Sequence, residues 1–421
     1  MLESAGILVA FAVIMVMIKK KISLALAMVS ASLIVLVASG KSLPFILNLF
    51  GSATIEQNTV DLALIVATIT ALAALMNRYS FFDKMVAALG TMLRNDRLTL
   101  MIVPGLIGSM PMVGGAIVSA PIVDTLGERM NLSGRKRSSA NLIFRHSWYF
   151  VFPFMPTFIL TARLAEVSIA ELLWIQWPMA VAMLGAGYYF VLVRGKSPTA
   201  AATEPPIEDE GYSTPMGAVR SFLLHSSPIL LSLVLHLGFG VHLALALILG
   251  MALVVMVLKY IKQQEGFNLG SVPLQILRDI DYPIVGAMVG IMIFRASVNE
   301  TTAVSDLMTA MVQAGLPLFI ITAGLASIMG FISASHTSTV AVVIPVVAPI
   351  AMAMGKSILV YVMLAYCFAF IFYLISPLHL CQILTNRYFK VSFGEVARIC
   401  LPVIIAVAAT ALGVGLLHGG M

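Results

Sequence analysis

Two adjacent basic side chains, Arg145 and His146, lie inside an apolar segment long enough to form a membrane helix. A charge at bilayer depth costs on the order of 2.5–3.5 kcal/mol by insertion scales. Such a residue marks either an anion-binding site or a side chain that reaches back to the membrane surface. The first interpretation predicts that Arg145 neutralises a carboxylate or a phosphate-like group. His146 is then a second ligand contact or a structural hydrogen-bonding residue.

A polar cluster interrupts another apolar segment further along the chain. It comprises Ser333, Ser335, His336, Thr337, Ser338 and Thr339. Serine and threonine are natural helix N-caps, and caps at the tip of a hairpin also face its cavity. We therefore predict that the cluster contacts a substrate or an ion, or only caps the hairpin arms. The corresponding tip in the first half offers Ser109, Gly114 and Gly115, where glycine lets the backbone approach a ligand closely.

Further candidates flank two proline-containing interruptions in long apolar segments. Asn141 and Thr157 lie on the first broken segment, and Ser376, His379 and Thr385 follow the break in the second. An imidazole titrates near physiological pH, so His379 is the candidate for proton coupling. The alternative for His379 is an interhelical hydrogen bond.

The composition places all these residues in a membrane protein. The chain has 421 residues, of which 60% are hydrophobic and only 10% are charged, against about 25% charged in soluble domains. This excludes a disordered chain, a nucleic-acid-binding protein and an ordinary soluble enzyme. The sequence contains no HExxH spacing and no phosphate-binding GxxxxGK[ST] loop. We therefore predict a protein that is not an enzyme and that has no metal and no cofactor.

Two apolar segments, about 98–130 and about 316–354, are interrupted near their middles. In the first, each arm of about 13–15 residues is roughly 20 Å long and cannot cross a hydrocarbon core of about 30 Å. We therefore predict two re-entrant hairpins. Two long helices, about 140–163 and about 357–385, are predicted to be broken by prolines at mid-membrane.

A proline-rich, acidic stretch at 195–217 is typical of a solvated linker and divides the chain nearly in half. We predict that 1–194 and 218–421 share one plan: three helices, an amphipathic arm, a re-entrant hairpin, a broken helix and a final helix. Weak similarity between the halves, offset by roughly 221–224 residues, indicates a duplication. An odd number of crossings in each half makes the repeats inverted. The predicted fold is thus an all-α polytopic membrane protein with two inverted repeats.

Inverted repeats with broken helices are the recurrent plan of secondary transporters. Together with Arg145 and the polar cluster at 333–339, this arrangement of helices predicts a transporter of a small organic anion, coupled to H⁺ or Na⁺. A cation/proton antiporter and, with less support, a lipid-carrier flippase are the alternatives. The distribution of Lys and Arg predicts that both termini lie outside and that the linker lies in the cytoplasm.

Three segments of the chain carry a resemblance to a known family. They are Phe144-Arg-His146, Ser119-Ala-Pro121 and Ser376-Pro-Leu-His-Leu-Cys-Gln-Ile-Leu-Thr-Asn-Arg-Tyr-Phe-Lys390. These segments resemble domain-of-unknown-function family 401, prokaryotic integral membrane proteins of the ion transporter superfamily. That superfamily includes gluconate permeases, citrate–metal symporters and divalent anion–sodium symporters. The resemblance implies the cytoplasmic membrane of a prokaryote, an elevator-type motion of a transport domain against a scaffold, and a homodimer.

Overall fold

The fold is entirely helical in the part of the protein that the structure, a computed structural model, describes. The described residues are 2–93, 95–108, 115–194, 214–261, 269–302, 306, 310 and 314–418. Seven helices within these ranges are long and apolar enough to cross a membrane. The prediction of an all-α polytopic membrane protein is confirmed.

Ten helices precede the central linker, and nine described helices follow it. The first ten are α1 (Leu2–Lys19), α2 (Leu24–Ala38), α3 (Leu43–Ile55), α4 (Gln57–Arg78), α5 (Phe81–Leu93), α6 (Asp96–Gly108), α7 (Gly115–Arg129), α8 (Gly134–His146), α9 (Pro156–Ala165) and α10 (Ile169–Gly187). The others are α11 (Pro215–Leu233), α12 (Leu243–Ile261), α13 (Val272–Asp279), α14 (Tyr282–Asn299), α15 (Leu318–Ser333), α16 (His336–Ala353), α17 (Ile358–Leu374), α18 (Leu380–Tyr388) and α19 (Phe393–Leu417).

Both halves present these helices in the same order. In each half a pair of helices (α6 and α7; α15 and α16) occupies a predicted hairpin, and a broken helix (α8 and α9; α17 and α18) and a final helix (α10; α19) follow it. The final helices begin with the same capping box, Ser168 with Glu171 and Ser392 with Glu395, which satisfies N–H groups at both starts. The matching order and caps support the predicted duplication. Residues 195–213 of the predicted linker lie outside the described residues, so the boundary between the halves stays a prediction.

Two short helices, α3 and α13, have no counterpart among the predicted elements. Asn48 and Gly51 interrupt the apolar run of α3, and α13 has only 8 residues. A search for about 20 consecutive apolar residues passes over both. They occupy equivalent places, directly before α4 and directly before α14, so each half has one short helix more than predicted.

The helices divide into two packing groups. The hairpin group, α6–α10 with α15–α19, contains both predicted hairpins and both broken helices; the hairpin-free group is α1–α5 with α11–α14. Helices pack mainly within their own group, and the contacts between groups are few. The main ones join α5 to α6, α4 and α14 to α9, α14 to α16, and α1 to α15. The most apolar window of α16 is 78% buried, against 33% in α10 and α19. Helix α16 is therefore surrounded mostly by protein, which suits a helix whose start lies in the polar interruption of the second hairpin.

Glycines bring the first hairpin arms close to the first parts of the broken helices. A Cβ added at Gly108 of α6 would lie 2.5 Å from the carbonyl oxygen of Arg145 on α8. A Cβ added at Gly330 of α15 would likewise lie 2.5 Å from the carbonyl oxygen of Ala369 on α17. Small residues at such crossings let membrane helices pack backbone to backbone. Both halves thus use a glycine to hold the hairpin against the broken helix.

We expect Gly330→Ala to lower the free energy of unfolding, because its Cβ would meet a backbone atom that cannot rotate away. Overpacking of this kind costs about 1–3 kcal/mol, against a gain of about 1 kcal/mol in helix propensity. Gly324→Ala, on the same helix with no atom within 4 Å of the added Cβ, is the matched control and should be neutral or stabilising. Unfolding in detergent measures both, and equal effects would contradict the close crossing.

Candidate functional site

Both long helices predicted to be broken are interrupted in the structure. Helix α8 ends at His146, a 3₁₀ turn follows, and α9 begins only at Pro156. Helix α17 ends at Leu374, and α18 begins after His379, which is its N-cap residue. Pro377 lies in the second interruption, and a proline cannot donate the hydrogen bond that would continue a helix. The interruptions therefore create two new helix N-termini, at α9 and α18.

These half-helices pack against the hairpin arms of the opposite half. Helix α9 packs on α16, and α18 packs on α7. At the first crossing, the hydroxyl groups of Thr157 and Thr337 hydrogen bond to each other, each in the first turn of its helix. Helix N-termini carry partial positive charge and free N–H groups. The crossing of α9 and α16 therefore places two such ends side by side, an arrangement that suits an anion.

Arg145 is buried, at 5% exposed, in the last turn of α8. Its Nη1 atom has no hydrogen-bond partner among the described residues, and none of the described aspartates or glutamates is buried. The guanidinium lies within electrostatic range of His146, Tyr149, His379 and Cys381. The side chain therefore packs inside the protein and does not extend to the protein surface. A buried charge left without a counter-ion is unfavourable, so an anion that enters here would be stabilised.

Several other arginines of the protein form ion pairs with carboxylates. Arg137 contacts Asp124 and Glu128, at 2.6 Å in each pair, and Arg295 pairs with Glu166. These acidic residues are partly or largely exposed, so they anchor helix ends. Arg145 differs in being both buried and without an ion pair in the described part of the chain.

The three predicted site histidines are all buried, each with one ring nitrogen against a backbone carbonyl. These contacts join His146 Nδ1 to Leu142 O at 2.7 Å, His336 Nε2 to Tyr366 O at 3.1 Å, and His379 Nδ1 to Leu374 O at 3.3 Å. The other nitrogen of each ring is buried and has no partner among the described residues. Each imidazole therefore keeps one nitrogen free for a ligand or a proton.

Aromatic side chains surround these histidines, and the sequence analysis did not select them. The ring centroids of His336 and Tyr366 are 4.3 Å apart, and those of His379 and Tyr373 are 4.1 Å apart. The Tyr366 hydroxyl donates to the carbonyl of Tyr149 at 2.6 Å. In sequence such residues cannot be told from apolar core, because an aromatic at helical spacing is usually core. Only their contacts with the histidines assign them to the site.

Most serine and threonine side chains of the polar cluster at 333–339, in the second hairpin, hydrogen bond within the hairpin and cap its helix ends. Ser335 is the N-cap of α16 and accepts from the backbone N–H of Ser338 at 3.2 Å. Ser333 and Thr339 hydrogen bond to each other at 3.1 Å, and the intervening Ala334 has a left-handed φ of 48°. Of the serines and threonines in this cluster, Thr337 is the one whose hydroxyl group reaches out of the hairpin, to Thr157 of α9. The capping interpretation therefore applies to most of the cluster, and Thr337 is its best candidate for a ligand contact.

A second polar network surrounds Asn141. Its Oδ1 accepts from Ser119 at 2.7 Å, and its Nδ2 donates to the carbonyl of Ala116 at 3.0 Å and to the Thr385 hydroxyl at 3.1 Å. Asn141, Ser119 and Thr385 are all fully or almost fully buried. One amide thus joins α7, α8 and α18 across the two halves, and it brings together the predicted residues Asn141 and Thr385.

Two further predicted residues, Ser376 and Gly115, lie at the margins of this region. Ser376 donates to the carbonyl of Phe331 at 2.7 Å, which ties the second interruption to α15. Gly115 is the first residue of α7. Ser109 and Gly114 lie outside the described residues.

Comparison with known proteins identifies relatives of the whole chain. A family model described as "Protein of unknown function (DUF401)" matches residues 3–417. A solved structure, titled as a crystal structure of the Alcanivorax borkumensis YdaH transporter with an unusual topology, is similar at 13% identity. The match covers 87% of each chain with a TM-score of 0.62, a likeness that concerns the fold alone. No curated protein matches the chain.

Proposed function

We propose that this chain, which belongs to the DUF401 family, is a secondary active transporter of a small organic anion of the carboxylate type. Transport is coupled to H⁺ or Na⁺, and the protein works in the cytoplasmic membrane of a prokaryote as a homodimer, with both termini outside. The similar structure is titled as that of a transporter, which agrees with this proposal.

The observation that carries the proposal is the state of Arg145. The side chain is buried, its Nη1 has no partner, and no described carboxylate forms an ion pair with it. A planar guanidinium holds a carboxylate through two parallel hydrogen bonds. The crossing of the α9 and α16 N-termini, where the Thr157 and Thr337 hydroxyls meet, is a second place in the hairpin group that would stabilise an anion.

The two packing groups support an elevator motion. The hairpin group contains Arg145, the three buried site histidines and the polar cluster at 333–339, and only a few of its helices contact the other group, namely α6, α9, α15 and α16. Such a group can slide as one body against α4 and α14 while the site stays intact. The ion pair between Glu166, at the end of α9, and Arg295 of α14 joins the two groups and would break and re-form in the cycle.

The alternative of cation/proton antiport has less support. Such a protein needs carboxylates at membrane depth to hold its cations, and no described Asp or Glu is buried. A lipid-carrier flippase shares the hairpins, and only substrate tests distinguish it from the proposal.

A thermal-shift panel on the purified protein tests this proposal. Mono-, di- and tricarboxylates, sugar acids and phosphonates are compared in Na⁺ and in choline buffer at two pH values. A ligand at 100 times its Kd stabilises the folded protein by about 2.7 kcal/mol. We expect a shift with carboxylates that depends on Na⁺ or on pH. A shift with Na⁺ alone would instead favour antiport.

A further inference from the structure

Three side chains from two parts of the chain bring soft or borderline metal ligands together beside the proposed anion site. They are His146 at the end of α8, His379 at the N-cap of α18, and Cys381 in the first turn of α18. One ligand atom from each lies within 4.8 Å of the other two. The ring centroids of the two histidines are 5.1 Å apart, with the rings nearly perpendicular.

The hydrogen bonds of the histidines fix which nitrogen is available. Both Nδ1 atoms face backbone carbonyls, of Leu142 and Leu374, and so each carries the proton. The lone pair is then on Nε2, and both Nε2 atoms are buried with no partner in the described structure. Metal-binding histidines commonly have this arrangement, in which the second nitrogen donates to a carbonyl and so orients the ring.

We propose that His146, His379 and Cys381 form a binding site for one divalent transition-metal ion of the Zn²⁺ class. Two imidazoles and one thiolate are ligands that Zn²⁺ and Co²⁺ accept. Metal–nitrogen bonds of about 2.0–2.1 Å and a metal–sulfur bond of about 2.3 Å require the three atoms to approach more closely than their present limit of 4.8 Å. Rotation of the Cys381 side chain and small movements of the two imidazole rings would bring the three ligand atoms to these distances. No fourth ligand of these types belongs to the cluster within the described residues, which leaves one position for water or an anion.

The charge of Arg145 makes Cys381 the decisive ligand. A dication beside a guanidinium is repelled, and the thiolate removes one of its two positive charges. Replacing the thiolate by a neutral hydroxyl leaves the whole repulsion in a poorly solvated site. The metal site does not depend on the proposed substrate, because its protein ligands are complete without a carboxylate.

Metal binding to the full-length protein in detergent tests this proposal. The protein is dialysed against Zn²⁺ without any carboxylate, and bound metal is counted. A second sample is loaded with Co²⁺, whose thiolate charge-transfer absorption reports a metal–sulfur bond. The ligand variants are Cys381→Ser and His379→Gln. The matched controls are Cys367→Ser and His225→Gln, which change a buried cysteine and a buried histidine of α11, both outside the cluster.

We expect one Zn²⁺ per chain and a thiolate–Co²⁺ band in the wild-type protein and in both controls. Cys381→Ser should lose the band and weaken Zn²⁺ binding at least about 100-fold. Mutation of residues that only hydrogen bond to a metal ligand already lowers metal affinity by about 10–100-fold, and Cys381 is itself a ligand. His379→Gln should weaken binding similarly. A wild-type protein that binds no stoichiometric Zn²⁺, or a Cys381→Ser variant that elutes normally on gel filtration and binds Zn²⁺ as tightly as wild type, would overturn the proposal. Because no substrate is present, this outcome is independent of the carboxylate panel.

Discussion

Arg145→Gln is expected to abolish carboxylate binding while the protein stays folded. Loss of one partner of a buried, hydrogen-bonded charge pair costs about 2–5 kcal/mol, which corresponds to at least about 30-fold in Kd. Glutamine keeps the Cγ atom and the backbone carbonyl that pack closely on Gly108, so the helix crossing is preserved. The measurement is the thermal shift with a carboxylate that stabilises the wild-type protein.

Arg220→Gln is the matched control, because Arg220 is an exposed arginine on α11. The same substitution there should leave the carboxylate-dependent shift unchanged. Arg145→Lys separates charge from geometry, since an ammonium keeps the charge without the planar pair of donors, and it should bind with intermediate affinity. Binding by Arg145→Gln at wild-type affinity would remove Arg145 from the anion site.

Asn141→Leu is expected to destabilise the protein strongly. The substitution leaves the Ser119 hydroxyl, the Ala116 carbonyl and the Thr385 hydroxyl without the amide. An unsatisfied buried polar group costs about 1–3 kcal/mol, although single hydrogen bonds between membrane helices average only about 0.6 kcal/mol. The Ser119 hydroxyl and the Ala116 carbonyl still contact each other, at 3.4 Å, so we count three lost hydrogen bonds and expect a loss of about 2 kcal/mol, measured by denaturant unfolding in mixed micelles.

Asn77→Leu makes the same change at an exposed position of α4 and should alter the unfolding free energy by less than about 0.5 kcal/mol. If the two variants unfold alike, the Asn141 network does not hold α7, α8 and α18 together. The Asn141→Leu result also bears on the site, because this network fixes the start of α7 against α18.

Much of the architecture could be predicted from sequence because its signals are local. The second interruption was expected at Ser376–His379, and α17 and α18 are separated at residues 375–379. Prolines and a polar cluster inside an apolar run mark such points, since neither continues an apolar helix. The short helices α3 and α13 were not predicted because each is shorter than a membrane span.

The assembly of the site could be predicted only in part. Arg145 and His379 stood out because charged and titratable groups are rare at membrane depth. Their neighbours Tyr373 and Cys381 did not, since both resemble apolar core in sequence. The proximity of His146 to His379 and Cys381 depends on how α8 and α18 pack, and no spacing along the chain encodes it. The choice between burial of Arg145 and its extension to the surface likewise required the structure.

Uptake into proteoliposomes tests the central claim most directly. Purified protein is reconstituted, and entry of a labelled carboxylate selected by the thermal-shift panel is followed under an imposed Na⁺ gradient, an imposed H⁺ gradient and neither. The proposal predicts accumulation above equilibrium with one of these gradients, its loss when that gradient is collapsed, and no accumulation with Arg145→Gln. Carboxylate entry by the wild-type protein that only equilibrates and ignores both gradients, or no entry at all, would contradict secondary active transport of an organic anion.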